Sequence, residues 1–370
     1  MKKLFLLCLC LAFLFCGCAE AVTLEETEAA TTETTLPETT EPPTEETTAE
    51  TTEETTEPTT EPQPESFLLT FAGDCTVGAP FDHFGYGGAY ILTVGEDYGY
   101  PFRGVMEWFG SDDASFVNLE GPLCEDGERA KKKHVFRGPP QFVNVLTEGS
   151  VEAVSLANNH VNDFKQAGYD STRNLLTEAG IPYVEKDSSM VFTTESGLTV
   201  GLYAATYEHW DREAILAGVS LLAEDPAVDV VIFAAHWGIE NTYHELKDQK
   251  ELAHAVIDAG ADIVWGTHPH VLQPIELYGD GVIFYSLGNF TFGGNAYPND
   301  YDTALVQQEV IREPDGTVHL GTLTVVPCSV SSVSQKNDFQ PTPYPADSRG
   351  YARVLEKLNL DSTVLKRGNE

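Results

Sequence analysis

The chain has few basic residues. Its 370 residues include 21 Lys and Arg against 58 Asp and Glu, which gives a formal net charge of −37 at pH 7. Residues 19–65 contain 15 of the acidic residues and no Lys or Arg, and residues 66–370 still carry 43 acidic against 19 basic residues. A protein that binds nucleic acid presents a basic face to the phosphates. The composition therefore argues against nucleic acid as a partner.

Cysteine is also scarce outside the N-terminus. Four of the seven cysteines fall within the first 18 residues, which leaves Cys75, Cys124 and Cys328. An odd number of cysteines at scattered spacings does not form a disulfide framework. One bridge among the three stays open, but a domain of this length can be stable without one.

Long apolar runs are absent except for one at the start of the chain. Lys2 and Lys3 precede an apolar stretch over residues 4–15, which is too short to span a bilayer comfortably and is typical of a secretory signal. The stretch ends in Gly17-Cys18, which resembles a bacterial lipoprotein cleavage box. We predict a lipoprotein signal peptide over residues 1–18, with Cys18 acylated and anchored on the outer face of the cell membrane. Ordinary signal cleavage and a soluble secreted protein is the alternative.

Residues 19–65 lack almost all large apolar side chains after Leu36 and consist mainly of Thr, Glu and Pro. Such a segment cannot bury enough surface to offset the entropy lost on ordering. Its like charges repel and its prolines stiffen the backbone, so we predict an extended, disordered linker. The linker would hold residues 66–370 away from the membrane.

Residues 66–370 alternate between strand-like and helix-like patterns and contain three hairpin signals. Helices are predicted over 166–179, 211–223, 244–259 and 349–358. Turns at residues 195–197, 279–281 and 314–316 each separate two strand-like runs. Mixed βα alternation followed by hairpins predicts a layered α/β fold with two sheets. The pattern does not give the strand order.

Five apolar runs end in side chains able to hold a metal. Ligands of open α/β sheets gather outside the carboxyl ends of the strands, so these residues are expected to converge. Carboxylates, amides and imidazoles are all used as metal ligands, and their number here exceeds the needs of one ion. Two metals that share a bridging carboxylate would explain the surplus. The residues are Asp74, Glu120, Asn159, His160, His236, His268 and His270.

Each of these residues also has a structural interpretation. A histidine at the end of a buried strand can be satisfied by the backbone, and Asp74 or Glu120 can cap a turn. Pro269 predicts an extended segment in which His268 and His270 point to the same side. The one clear basic cluster, Lys131-Lys132-Lys133-His134, is either a solvated loop or a contact for an anionic substrate.

The order of these motifs resembles the bacterial CapA family, which is linked to poly-γ-glutamate capsule synthesis. The resemblance spans about residues 67–345, and several short motifs carry it together. They are Gly73-Asp74, Asn118-Leu119-Glu120, residues 156–160, 236–240, His268-Pro269-His270, residues 286–290, 136–140 and 337–341. The family in turn resembles calcineurin-like metallophosphoesterases, which implies a four-layer α/β/β/α sandwich and a centre of two divalent metals such as Mn, Zn or Fe.

The resemblance also implies a role for each residue. Asp74 and His270 would bind one metal, and Glu120 would bridge to a second. The second metal would be bound by Asn159, His236 and His268, and His160 would donate a proton. The metallophosphoesterase pattern has a histidine where this chain has Thr76, next to Cys75 as a conceivable substitute ligand.

Three functions agree with these observations. The first is a surface-anchored, metal-dependent hydrolase or transferase acting on poly-γ-glutamate or a related anionic envelope polymer. The second is a non-catalytic export or assembly factor that passes the polymer to membrane-bound capsule-synthesis proteins. The third is a phosphodiesterase or nucleotidase.

Overall fold

The computed structural model describes residues 62–81, 89–207 and 210–366. The predicted signal peptide, Cys18 and the linker up to residue 61 lie outside the described residues. Residues 60–370 belong to one compact unit. Within the described ranges, no helix is both long enough and apolar enough to cross a membrane.

Strands make up most of the regular structure in the described ranges. In chain order they are β1 Glu65–Cys75, β2 Ala79–Pro80, β3 Ala114–Leu119, β4 Phe136–Arg137, β5 Ala153–Ser155, β6 Tyr183–Val184, β7 Ser188–Thr193, β8 Thr199–Thr206, β9 Val230–His236, β10 Ile263–Thr267, β11 Leu272–Tyr278, β12 Gly281–Leu287, β13 Asp302–Arg312, β14 Val318–Ser329, β15 Thr342–Pro343 and β16 Val364–Leu365. The helices are α1 Ala89–Val94, α2 Met106–Phe109, α3 Val143–Glu148, α4 Lys165–Ala179, α5 Arg212–Ala223, α6 Lys247–Asp258 and α7 Arg349–Lys357, with 3₁₀ turns at Tyr100–Phe102 and Pro140–Phe142.

The strands form two large mixed sheets. The first has the order β15-β14-β13-β1-β3-β5-β6, with β16 pairing to β14, and the second has the order β11-β12-β10-β9-β8-β7. Strands β1, β3, β5 and β6 run parallel, as do β8, β9, β10 and β12. The carboxyl ends of each parallel set therefore lie at one edge of its sheet. The short strands β2 and β4 form a separate antiparallel pair.

The two sheets pack face to face around a shared apolar core. Phe71 of β1 contacts Phe116 of its own sheet with ring centroids 4.9 Å apart, and Phe284 of the other sheet at 5.5 Å. The outer face of the first sheet packs against α1 to α4 through a second cluster that includes Leu146 and Leu176. The outer face of the second sheet packs against α5 and α6 through a third cluster. The fold is therefore a four-layer α/β/β/α sandwich, as the family resemblance implied.

The predicted helices and hairpins agree with the observed ones to within a few residues. Helix α4 begins at Lys165 and ends at Ala179, where Gly180 adopts a φ of 73° and closes the helix. The three predicted hairpins are the antiparallel pairs β7–β8, β11–β12 and β13–β14. Helix α7 was also predicted, but its place was not: Val354 and Leu358 join the shared core, and the helix packs on β13 and β14 of the first sheet and β11 of the second.

The sheets approach each other most closely where β1 leaves the core. The Trp265 indole of the second sheet donates a hydrogen bond of 2.9 Å to the Ala72 carbonyl of the first. One residue later, a Cβ added to Gly73 would lie 1.9 Å from the Gly288 carbonyl oxygen. The Asp74 amide donates to that same oxygen at 2.9 Å. Only glycine allows this approach, which places Asp74 at the junction of the two sheets.

We expect Gly73→Ala to be strongly destabilising. Its methyl group would overlap backbone, which cannot rotate away, so the cost should exceed about 2 kcal/mol of unfolding free energy. Denaturant unfolding measures this loss of unfolding free energy. Gly99→Ala is the control, because its nearest atom is the flexible Glu148 carboxylate at 3.3 Å. Equal stability of the two variants would contradict the importance of this junction.

Candidate metal centre

The ends of β1 and β3 place two buried carboxylates at the sheet junction. Asp74 and Glu120 are both fully buried. Asp74 Oδ1 accepts a hydrogen bond of 2.8 Å from the Asn118 side chain, and Oδ2 accepts one of 3.2 Å from the His268 amide. His270 Nδ1 lies 3.2 Å from the same Oδ2 atom. The first sheet thus supplies the carboxylates, and the loop after β10 approaches them from the second sheet.

Glu120 lacks the partners that a buried carboxylate requires. Neither of its oxygens has a hydrogen-bond partner. Three imidazoles instead turn their Nε2 atoms toward Oε1, at 4.0 Å for His160, 3.8 Å for His236 and 3.9 Å for His270. Burying an unpaired charge is costly unless a cation or a proton compensates it. This carboxylate therefore fits the position of a bridging metal ligand.

A second group of donor atoms converges beside Glu120. His236 Nε2 lies 2.9 Å from Asn159 Oδ1 and 3.1 Å from His268 Nδ1. On its other side, His236 Nδ1 lies 3.0 Å from the Thr267 hydroxyl and 3.4 Å from the Asn118 side chain, which orients the ring. A ring held in this way, with its far nitrogen aimed at other donors, is the arrangement found in histidine metal ligands.

Burial and neighbouring charges shift the pKa values of Glu120 and of the imidazoles around it. Burial raises the pKa of Glu120 above its ordinary value, with Asp74 adding to the effect and His270 opposing it. Burial lowers the pKa of His270, but the Glu120 and Asp74 carboxylates outweigh this and hold it above its ordinary value. Burial and His270 lower the pKa of His268 to about 4, and burial with His268 holds that of His236 well below its ordinary value. Neutral imidazoles with free electron pairs next to carboxylates suit a divalent cation.

The segment that carries His268 and His270 is bent rather than extended. Its φ angles are 98° at His268 and 57° at His270, so the prediction of an extended segment was wrong, but the two imidazoles still lie near each other, with ring centroids 5.9 Å apart. The bend is fixed from outside, because Asp74 accepts from the His268 amide and the Pro269 carbonyl accepts from the Asn241 amide. Positive φ is unfavourable for such residues and is found where function requires it.

His160 has a different setting from the other imidazoles. Its Nδ1 lies 2.7 Å from Asp163 Oδ2, so the ring donates there and leaves Nε2 facing Glu120 and the cleft. Lys132 forms an ion pair of 2.5 Å with Asp163 Oδ1 and donates to the Asn159 carbonyl at 2.8 Å. Burial lowers the pKa of His160, although Asp163 opposes this. The sequence motifs did not identify Asp163 as the partner of His160, or Lys132 as the partner of Asp163.

The metallophosphoesterase pattern has a histidine at the position of Thr76. Neither Thr76 nor its neighbour Cys75 is placed as a substitute metal ligand. Cys75 belongs to the apolar cluster between the first sheet and its helices, and burial raises the pKa of its thiol. The Thr76 hydroxyl is buried and has no hydrogen-bond partner. The first metal position therefore has Asp74, Glu120 and His270, which are the residues whose donor atoms lie within 4.8 Å of one another.

Several polar residues support the centre without having been predicted as ligands. Asn158 donates to Asn118 Oδ1 at 3.1 Å and to the Leu119 carbonyl at 2.9 Å, which joins the ends of β3 and β5. Asn289 Oδ1 lies 2.9 Å from His270 Nδ1. The Tyr207 ring packs on His268 with centroids 4.8 Å apart. In the sequence, Asn289 could be recognised as a possible site residue because it follows the apolar run of β12. No comparable sequence pattern pointed to Tyr207.

The centre lies at the base of a cleft of about 390 Å³. Asn159, His160, His270 and Asn289 form its base. The remaining walls include Phe136, Phe292 and the polar residues Lys132, Lys133, His134, Glu240, Asn241, Asn295, Asn299 and Asp300. The structure therefore brings all seven predicted residues together at one accessible place. The donor atoms of Asp74, Glu120 and His270 lie close enough to one another to hold a metal ion.

A family model described as "Bacterial capsule synthesis protein PGA_cap" matches residues 68–294. The chain belongs to this family. The PGA_cap match begins in β1 and ends just after Asn289, so it contains every residue of the centre.

Curated relatives of this PGA_cap protein agree with the assignment. It is 30% identical to the capsule biosynthesis protein CapA of Bacillus anthracis, over 74% of this chain and 69% of that protein. It is 29% identical to the PGA biosynthesis protein CapA of Bacillus subtilis, over 74% of this chain and 76% of that protein. Among solved structures, a hypothetical protein from Thermus thermophilus matches with a TM-score of 0.42 and 16% identity, over 70% of this chain and 99% of that one.

We expect Glu120→Gln to remove metal binding without unfolding the PGA_cap domain. The metal-free variant loses a buried unpaired charge, so its melting temperature should equal or exceed that of the metal-free wild type. Mn²⁺ or Zn²⁺ should raise the melting temperature of the wild type only, because a ligand stabilises the state it binds. Glu240→Gln is the control, since it changes a carboxylate on the cleft wall. A full metal-induced rise in Glu120→Gln would contradict the bridging role.

Proposed function

We propose that the protein is a metal-dependent hydrolase or transferase that acts on poly-γ-glutamate or a related anionic polymer of the cell envelope. The convergence of two buried carboxylates, an amide and four imidazoles at the base of an open cleft is the observation that carries this proposal. The family description and the names of the CapA relatives support the polymer. A structural role alone would not leave both Glu120 oxygens buried without hydrogen-bond partners.

In this proposal, two sets of residues would each hold one metal ion. Bound metals would lower the pKa of a coordinated water and polarise the bond to be cleaved. Asp74, Glu120 and His270 would hold one ion, as Glu120 with Asn159, His236 and His268 would hold the other. Glu120 belongs to both sets of residues because its Oε1 lies within 4 Å of an imidazole from each set.

His160 would move the proton. Its Nδ1 is engaged by Asp163, so Nε2 is the atom that faces the cleft. In amide hydrolysis, water adds to the carbonyl carbon, the carbon–nitrogen bond breaks and the leaving amine takes up a proton. Nε2 accepts the proton that the water loses and passes it to that amine, while Asp163 stabilises the imidazolium. Asp163 acts through His160 and is a positioning residue.

The same geometry also agrees with a non-catalytic assembly factor that passes polymer to capsule-synthesis proteins in the membrane. Thr76 favours this candidate, because the first metal position has one donor fewer than the metallophosphoesterase pattern. Metal analysis and turnover assays on the purified protein separate the two. Bound metal with cleavage of poly-γ-glutamate supports the enzyme, and cleavage of generic phosphodiesters alone supports a phosphodiesterase or nucleotidase. Absence of turnover with Mn²⁺, Zn²⁺ and Fe²⁺ supports the assembly factor.

We expect His160→Ala to reduce turnover by about 10²- to 10⁴-fold, the usual contribution of a positioned proton-transfer group. Bound metal should be unchanged, because Asn159 and Glu120 remain. Asp163→Asn should lower kcat more than it raises KM, since the imidazolium loses its partner. Elemental analysis and steady-state kinetics measure these effects, with the exposed His319→Ala as control. Full activity of His160→Ala would show that another group transfers the proton.

We further propose that the protein is anchored on the outer face of the cell membrane through an acylated Cys18, with residues 19–65 as a tether. Cys18→Ser should then move the protein from the membrane fraction to the medium or leave its signal uncleaved. Cys16→Ser is the matched control, because it changes a cysteine on the other side of the predicted cleavage site. Membrane retention of a Cys18→Ser protein whose signal has been cleaved, to the same degree as the control, would exclude this anchor.

A further inference from the structure

The longest run of basic residues outside the signal lies at the mouth of the metal centre. Residues 66–370 carry 43 acidic and 19 basic residues, yet three consecutive lysines, Lys131 to Lys133, precede His134. Lys132, Lys133 and His134 line the cleft, whereas Lys131 is not part of its wall. We call residues 131–134 the lysine segment. Sequence alone left open whether this segment is a solvated loop or a substrate contact.

The lysine segment is held in place on both sides. Lys132 donates to the Asn159 carbonyl at 2.8 Å and pairs with Asp163 at 2.5 Å. Before it, the Ala130 amide donates to the Asp163 carbonyl at 2.8 Å; after it, the Val135 carbonyl accepts from the Phe81 amide at 2.8 Å. Lys133 and His134 therefore occupy a stretch of backbone that is held on both sides, and they line the same cleft as Asn159.

The charges that face the cleft differ in whether they are already paired. Lys132 is bound to Asp163, and on the opposite wall Asp300 is bound by Lys357 at 2.6 and 2.8 Å. Lys133 and His134 are exposed and form no hydrogen bond or ion pair with the residues that the structure describes. Glu240 is the one carboxylate of the cleft wall in the described ranges without a bonded partner. Among the described residues that line the cleft, Lys133 is thus a positive charge without a bonded partner.

We propose that Lys133, with His134 beside it, forms a subsite that binds a free carboxylate of the substrate next to the bond held at the metal centre. The inference rests on the proposed function and names its substrate class, a polymer with one free carboxylate per unit. In a γ-linked glutamate chain, each unit carries an α-carboxylate close to its amide bond. An ammonium group beside Asn159 would bind that carboxylate and set the register of the chain.

The test is equilibrium binding of a short fluorescent poly-γ-glutamate oligomer to the full-length mature protein. All variants carry His160→Ala, so that the probe is not consumed. Lys133→Gln should raise Kd by about three- to five-fold, the contribution of a partly exposed ion pair. Lys131→Gln is the matched control and should leave Kd unchanged, and Lys133→Arg should restore binding.

A second probe separates a specific subsite from general attraction. An oligomer whose carboxylates are converted to amides should bind Lys133→Gln and the parent protein equally. Equal weakening by Lys131→Gln and Lys133→Gln would overturn the subsite in favour of diffuse electrostatics. Absence of binding by the parent protein, or displacement of the probe only by a phosphate polymer, would overturn the carboxylate assignment. Because binding is measured without turnover, these outcomes are independent of whether the centre hydrolyses the polymer.

Discussion

The centre of this protein depends on two carboxylates buried where two sheets meet. Asp74 has partners for both oxygens, but Glu120 has none and is surrounded by imidazole nitrogens at 3.8 to 4.0 Å. A protein interior does not tolerate such a charge without compensation. A divalent cation would supply that compensation, and the imidazoles of His236 and His268, whose pKa values are lowered, would complete a donor set for it.

The fold provides this arrangement by bringing the carboxyl ends of two parallel strand sets to one edge. The first sheet contributes Asp74, Glu120 and Asn159, and the second contributes His236 and the bent segment after β10. Gly73 and Gly288 let the backbones of the two sheets approach each other closely. Candidate metal ligands from both sheets can therefore lie side by side. A sandwich with a bulkier junction would keep both sheets but separate the two halves of the centre.

Around this centre, charge is distributed in a way that suits an acidic polymer. The domain as a whole is acidic, so a polyanion would be repelled from most of its surface. The lysine segment is the local exception, and it lies at the mouth of the cleft. Membership of the capsule synthesis family and the proposed membrane tether fit the same picture of a protein that handles polymer outside the cell.

The sequence by itself determined the layered α/β class, the main helices and hairpins, and the residues of the centre, because each follows a local pattern. An apolar run that ends in a ligand-type residue is visible without coordinates. Sheet order, the packing of α7 against strands of both sheets and the bend at His268 depend on contacts between residues far apart in the chain. Asp163 and Lys132 gained their roles in the same way, since only the folded chain brings an ion pair against the imidazole of His160. Local pattern can name the ligands, but the distances between them are set by the packing of one sheet on the other.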